Sequence, residues 1–171
     1  MSDAATQGAE ATQPPAIPHT DEAIIAAITE QEAELRFDSF DHTDAWKLGN
    51  VLVALAQERQ HPVSIAVLLG EQRAFQAGLP GSSAENDDWI MRKARTVRIF
   101  DHASWYVGAR FRLDGRDFAV ESGLDPELHA AHGGAFPIHV GDELVGVVAV
   151  SGLTQATDHA LVIEALRIAR V

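Results

Sequence analysis

Two stretches of the chain combine residue types able to hold a ligand. In the first, Trp89, Arg92 and Lys93 stand at i, i+3 and i+4 and so share one face of any helix they form. An indole beside two cations suits a flat, anionic small molecule, because the ring stacks and the cations pair with carboxylates. The same spacing also describes a solvated cationic face whose tryptophan anchors the helix to a sheet or a neighbouring subunit. In the second stretch, His132, Gly133 and Gly134 precede Phe136-Pro137-Ile138. A glycine-containing apolar run then leads to Ser151-Gly152 and on to Asp158-His159. Adjacent glycines let the backbone come close to another group, and exposed amides there bind oxygen ligands. A hairpin between the two halves brings His132 near Ser151 and Gly152. On the plainer reading, Gly133 and Gly134 serve a tight turn and Gly146 lets a helix lie close on the sheet.

Several chemistries drop out at once. The chain has no cysteine, which removes disulfides, thiolate metal sites and cysteine nucleophiles. His129 and His132 would share a face if that segment were helical, but two histidines are an incomplete metal site, and no metal centre is expected. Ser151, Asp158 and His159 follow the chain order of a hydrolase triad, yet there is no Gly-x-Ser-x-Gly, and helical neighbours such as Asp158 and His159 point about 100° apart. Phosphate-loop and dinucleotide patterns are absent. A net charge of −12 disfavours a nonspecific grip on nucleic acid or an anionic membrane. The exception is 92–116, where seven basic residues face two acidic ones, a local band able to hold a carboxylate or phosphate.

The elements that must position these residues are legible from punctuation and period. Residues 1–19 carry Pro14, Pro15 and Pro18 and no periodicity, which predicts a disordered tail before a single domain over 20–171. Thr20 caps a helix with Asp21 and Glu22 in its first turn and Ile24, Ile25 and Ile28 as its stripe. Leu35 and Phe37 suggest a short strand. A helix over 43–59 presents Leu48, Val51, Leu52 and Leu55. The continuous apolar run 63–69 reads as a strand covered on both faces, paired in a hairpin with 73–77. A capping box at Ser82-x-x-Glu85 opens the Trp89 helix, a second helix spans 104–113, and Asp125-Pro126 starts a helical turn. A second hairpin joins 136–140 to 144–150, with Pro137 marking an edge, and an amphipathic helix closes the chain over 158–170, with Asp158 in its first turn near a Thr157 cap. Hairpins predominate, which predicts a mainly antiparallel sheet of four or five strands with helices on both faces. No apolar run reaches the length of a membrane span and the first residues lack a secretory signal, so a soluble cytoplasmic protein is expected.

Asp88-Trp89-Ile90-Met91-Arg92-Lys93, His132-Gly-Gly-Ala-Phe-Pro-Ile138, Val145-Gly-Val-Val-Ala-Val-Ser-Gly-Leu153 and Asp158-His159 together resemble the haem-degrading domain family of HbpS and GlcG type, in its branch with a Trp-x-x-Arg-Lys element. The resemblance covers roughly 20–171. It implies a profilin-like three-layer α/β/α sandwich, assembly into homo-oligomers, and binding or oxidative degradation of haem or a related anionic, planar ligand. On that reading Trp89, Arg92 and Lys93 position the ligand, His132 and the Gly133 and Gly134 amides meet its polar end, and Ser151, Gly152 and His159 close the site. With no cysteine, His102, His129, His132, His139, His159, Tyr106 and Met91 are the candidate iron ligands. The rival expectation is a non-catalytic assembly or protein-interaction module, with Trp89, Arg92 and Lys93 meeting another chain.

Overall fold

The computed structural model describes residues 16–170; most of the expected tail lies outside them. Thr20 opens α1 (Asp21–Glu34) by accepting the Ala23 amide, and Asp41 opens α2 (His42–Glu58) through reciprocal bonds with Asp44. The strand read at Leu35 and Phe37 reduces to an isolated bridge between Phe37 and Val140, because Leu35 still caps α1 and little chain remains before α2. β1 (Ser64–Leu69) and β2 (Gln72–Gly78) form the first hairpin. The cap of α3 (Ala84–Phe100) sits one residue later than the sequence pattern: Asn86 Oδ1 accepts the Ser83 amide, while the Ser82 hydroxyl turns back to the Leu79 carbonyl.

Next come α4 (Ser104–Leu113) and α5 (Phe118–Glu121), the latter one turn capped by Asp117 and too short to show a period in sequence. Asp125 caps the turn that follows, accepting the Glu127 amide. β3 (Ala135–Val140) and β4 (Glu143–Ser151) make the second hairpin. α6 (Gln155–Ala169) begins three residues earlier than its apolar stripe suggests, because Thr154 and not Thr157 is the cap, while Asp158 stays in the first turn as expected.

The sheet is four-stranded and antiparallel, in the order β2-β1-β4-β3. Alternation along β1 explains its unbroken apolar run: Ile65 and Val67 join one core, Ala66 and Leu68 the other. The first core lies under α1, α2, α4 and α6 and takes the large side chains, Phe136 and Ile138 among them. The second is lined by Ala66, Ala135 and Ala149, small enough for α3 to lie close on that face through Ile90, Ala94 and Val97. This is a three-layer α/β/α sandwich. β3 is an edge strand, as Pro137 requires, since a missing N–H costs no ladder bond on the unpaired side. Gly146 does not admit a helix; a Cβ there would sit 2.2 Å from the Leu68 carbonyl of the neighbouring strand. No helix among the described residues is long and apolar enough to cross a membrane.

Candidate functional site

α3 presents Trp89, Arg92 and Lys93 on one side, but the three side chains have different fates. Lys93 is only 2% exposed. Its Nζ donates to the Gly133 carbonyl at 3.0 Å and the Val150 carbonyl at 2.7 Å, and lies 3.6 Å from Asp158 Oδ2. Asp158 in turn accepts the Leu153 amide at 3.0 Å. Burial lowers the Lys93 pKa to about 8 and raises that of Asp158, so for each group desolvation outweighs the attraction of its partner. The solvated cationic face is therefore corrected at Lys93: its ammonium is an internal tie between α3, β4, α6 and the turn before β3.

Arg92 is half-buried, with its Nε enclosed and unpartnered among the described residues. Its guanidinium carbon lies 4.1 Å from the centroid of the Trp89 ring, and Nη2 donates to the Pro126 carbonyl at 2.7 Å. The other face of the site is His132, whose ring centroid is 5.3 Å from that of Trp89. Surrounding protein, and then the charges of Lys93, Arg92 and Arg112, hold its pKa below the usual histidine value. The imidazole is neutral at pH 7, and its ring nitrogens have no hydrogen-bond partner among the described residues.

Trp89 and His132 form a wall between two hollows, where the sequence suggested one. The larger, of about 530 Å³, is lined on its far side by Phe111, Phe118, Arg112, Arg116 and His129. The smaller, of about 290 Å³, is lined by Lys93, Gly133, Ser151, Gly152, Asn86 and Gln155. Arg92 belongs to the larger, and Gly134 lines neither. The two glycines are close-approach positions. A Cβ on Gly133 would meet the Gln155 carbonyl at 2.3 Å, and one on Gly134, at φ +126°, would meet the Val150 carbonyl at 2.4 Å. The Gly133 amide is not open to a ligand, since it donates to Gln155 Oε1.

His159 does not close the site. It is buried in the first core, with Nε2 2.8 Å from Gln31 Oε1 and its ring against Trp105. Burial drives its pKa down to about 3. The other histidines sort themselves similarly. His102 pairs with Glu32 and His139 with Asp101, whereas His129 lines the larger hollow with Nδ1 against the Asp125 carbonyl, leaving Nε2 free. No group of three or more histidine or carboxylate side chains placed to hold a metal ion occurs among the described residues. Gln155, Arg112 and Arg116 are not singled out by the sequence patterns, and Asp158, which stands there only in the Asp158-His159 pair, owes its place to Lys93. The basic band over 92–116 is the available signal for the two arginines; nothing local marks Gln155.

The fold is that of a small α/β/α domain with two adjoining hollows. The family model described as "Haem degrading protein HbpS-like" matches residues 40–167, and the chain belongs to that family. It is 51% identical over 143 residues to a UPF0303 protein of Streptomyces coelicolor, covering 83% of this chain and 90% of that relative. A UPF0303 protein of Rhizobium etli is 45% identical over 81% of this chain and 85% of its own length. Among solved structures, Ybr137w superposes with a TM-score of 0.76 at 28% identity, over 83% of this chain and 85% of that one. A structure described as a complex of PduOC with haem gives 0.65 at 19% identity, over 75% of this chain and 94% of that one. HbpS itself gives 0.61 at 16% identity over 96% and 97%, respectively.

Proposed function

We propose that the larger hollow binds a planar anionic ligand, haem being the first to test. The observation that carries this reading is His132, a neutral imidazole with no hydrogen-bond partner among the described residues, standing at the mouth of a hollow that also holds arginines. The donor set suits a porphyrin: His132 or His129 would offer a ring nitrogen to iron, Phe111, Phe118 and Trp89 apolar walls, and Arg92 and Arg116 partners for propionates, with Arg112 beside them already held by Asp21. Family membership and the fold shared with a haem-complexed neighbour support the same choice. When bound, an iron porphyrin supplies one-electron and oxygen chemistry, which is what oxidative degradation of haem would draw on. This chain's own residues bind and orient. Lys93 and Gln155 hold the backbone beside His132, and the Trp89 indole packs against the imidazole at a tilt.

Haemin titration of the purified protein tests this. A shifted Soret band saturating near one ligand per subunit, and weakened in His132→Ala, is the expected result; a flat titration identical in the variant overturns it. Cytoplasmic location and homo-oligomeric assembly belong to the same proposal and are read by cell fractionation and light scattering.

One observation favours an assembly role as a second reading. Trp46 on α2 is 63% exposed, packed edge-to-face on Phe75 of the edge strand β2. Such an interface would lie on α2 and not on the α3 face, because the Lys93 amine is committed inside the molecule. Trp46→Ser lowering the mass in light scattering, with no haemin bound by either protein, would select this reading.

A further inference from the structure

The smaller hollow is walled by hydrogen-bond donors whose acceptor atoms are already engaged. Asn86 Oδ1 accepts the Ser83 amide at 2.9 Å and Gln155 Oε1 accepts the Gly133 amide at 3.2 Å. Those bonds fix the orientation of both side-chain amides and leave their nitrogens as the unused ends. Ser151 is 6% exposed and lines the hollow, and its hydroxyl has no partner among the described residues. The hydroxyl is not one of the sealed, unpartnered polar atoms among the described residues, so it is reached from the hollow and is available to a bound group. The Lys93 ammonium holds two carbonyls, and its remaining approach, to Asp158 at 3.6 Å, is longer than a hydrogen bond. Asp158 is the carboxylate in this lining, and its charge is covered by the Leu153 and Gly152 amides as well as by Lys93.

We propose that this hollow is a second, separate site for a small oxyanion, a carboxylate or phosphate group, held by Ser151 Oγ and the amide nitrogens of Asn86 and Gln155 in the field of Lys93. Size sets the class. At about 290 Å³ against about 530 Å³ for its neighbour, this hollow suits the smaller ligand of the two. The local potential agrees in sign, since Lys93, Arg92 and Arg112 all disfavour the imidazolium of His132. An anion in the smaller hollow opposes that field, so its binding raises the His132 pKa, and by linkage binding tightens as His132 is protonated. The two hollows thereby communicate across the Trp89 and His132 wall, although the site itself does not depend on haem binding.

The experiment uses haem-free protein and follows the His132 ring resonance by NMR while sodium acetate or sodium phosphate is added. Acetamide serves as the neutral control and sodium chloride as the ionic-strength control. A saturable shift with either oxyanion, an upward move of the His132 pKa, and no saturable response to acetamide or chloride support the site. Acetate alone assigns it to carboxylates, and phosphate alone to phosphates. Ser151→Ala, which removes a hydroxyl with no partner among the described residues, weakens binding about fivefold; Ser151→Val, which puts methyl groups where the oxyanion would meet that hydroxyl, weakens it further. A response reproduced by acetamide or chloride, or undiminished in Ser151→Val, overturns the proposal. Failure of haemin to bind leaves these outcomes unchanged.

Discussion

The ammonium of Lys93 donates to the carbonyl of Gly133, 40 residues further along the chain, at 3.0 Å. Gln155 grips the amide of the same glycine at 3.2 Å, so the residue next to His132 is held from α3 on one side and α6 on the other. The imidazole therefore stands where two helices and a sheet edge agree to place it.

Lys93→Met leaves Asp158 buried without its cation and releases the Gly133 and Val150 carbonyls. Loss of one partner of a buried pair costs about 3–5 kcal/mol. The expected result is a lower urea midpoint at unchanged slope. Adding Asp158→Leu to that variant recovers part of the loss, because the orphaned carboxylate goes with it.

Arg116 lies in the larger hollow, with its guanidinium carbon 4.6 Å from the centroid of the Phe111 ring, and is exposed. Arg116→Gln should weaken haemin about tenfold through one lost charged hydrogen bond. Its thermal midpoint should barely move, since exposed ion contacts contribute little to stability. Equal haemin affinity in the two proteins would remove this arginine from the propionate set.

Gly108 on α4 faces the segment that carries both hollow-facing histidines: a Cβ there would lie 2.1 Å from the Ala131 carbonyl. Gly108→Ala pushes that segment away from α4 and destabilises by about 1–3 kcal/mol through overpacking. The His132 ring resonance should broaden or shift in the same variant, which separates displacement of the segment from a uniform loss of stability.

Two histidines act on the pH dependence of stability with opposite signs. His159 has a folded pKa of about 3, far below its unfolded value, and its Nδ1 has no partner to compensate a buried charge. Its contribution is present above about pH 6.5 and lost as pH falls toward 3, on the order of a few kcal/mol. His102 has the opposite sign. Glu32, which also accepts the Ala103 amide, holds its pKa up, so its contribution is full below the unfolded pKa and lost as pH rises through the folded one. Denaturation across pH should show His159→Gln flattening the acid limb and His102→Gln flattening the fall that begins at the unfolded histidine pKa, about 6.5.

Much of the architecture was legible from local signals. Thr20 capped α1 as read, because a cap is a bond between residues three apart. β1 and the second hairpin appeared at their places, because alternation and turn residues act over a few positions. Where a cap had competitors, the reading slipped: Ser83 displaced Ser82, and Thr154 displaced Thr157, in each case because another nearby group satisfied the amides. α5 left no signal in a single turn.

The site divides along the same line. Helical spacing alone put Trp89, Arg92 and Lys93 on one side of α3, and the glycine pair alone announced a close backbone approach before β3. Spacing could not say that Lys93 would be drawn under the surface while Arg92 stayed on Trp89, nor that His159 would turn inward to Gln31, 128 residues away. Those outcomes depend on which carbonyls, carboxylates and rings the fold delivers from distant segments, and on how much water each group loses there. Residue type and period set what a side chain can do; the dielectric and the partners around it, which exist only once α3, β4 and α6 have met, decide which of those things it does.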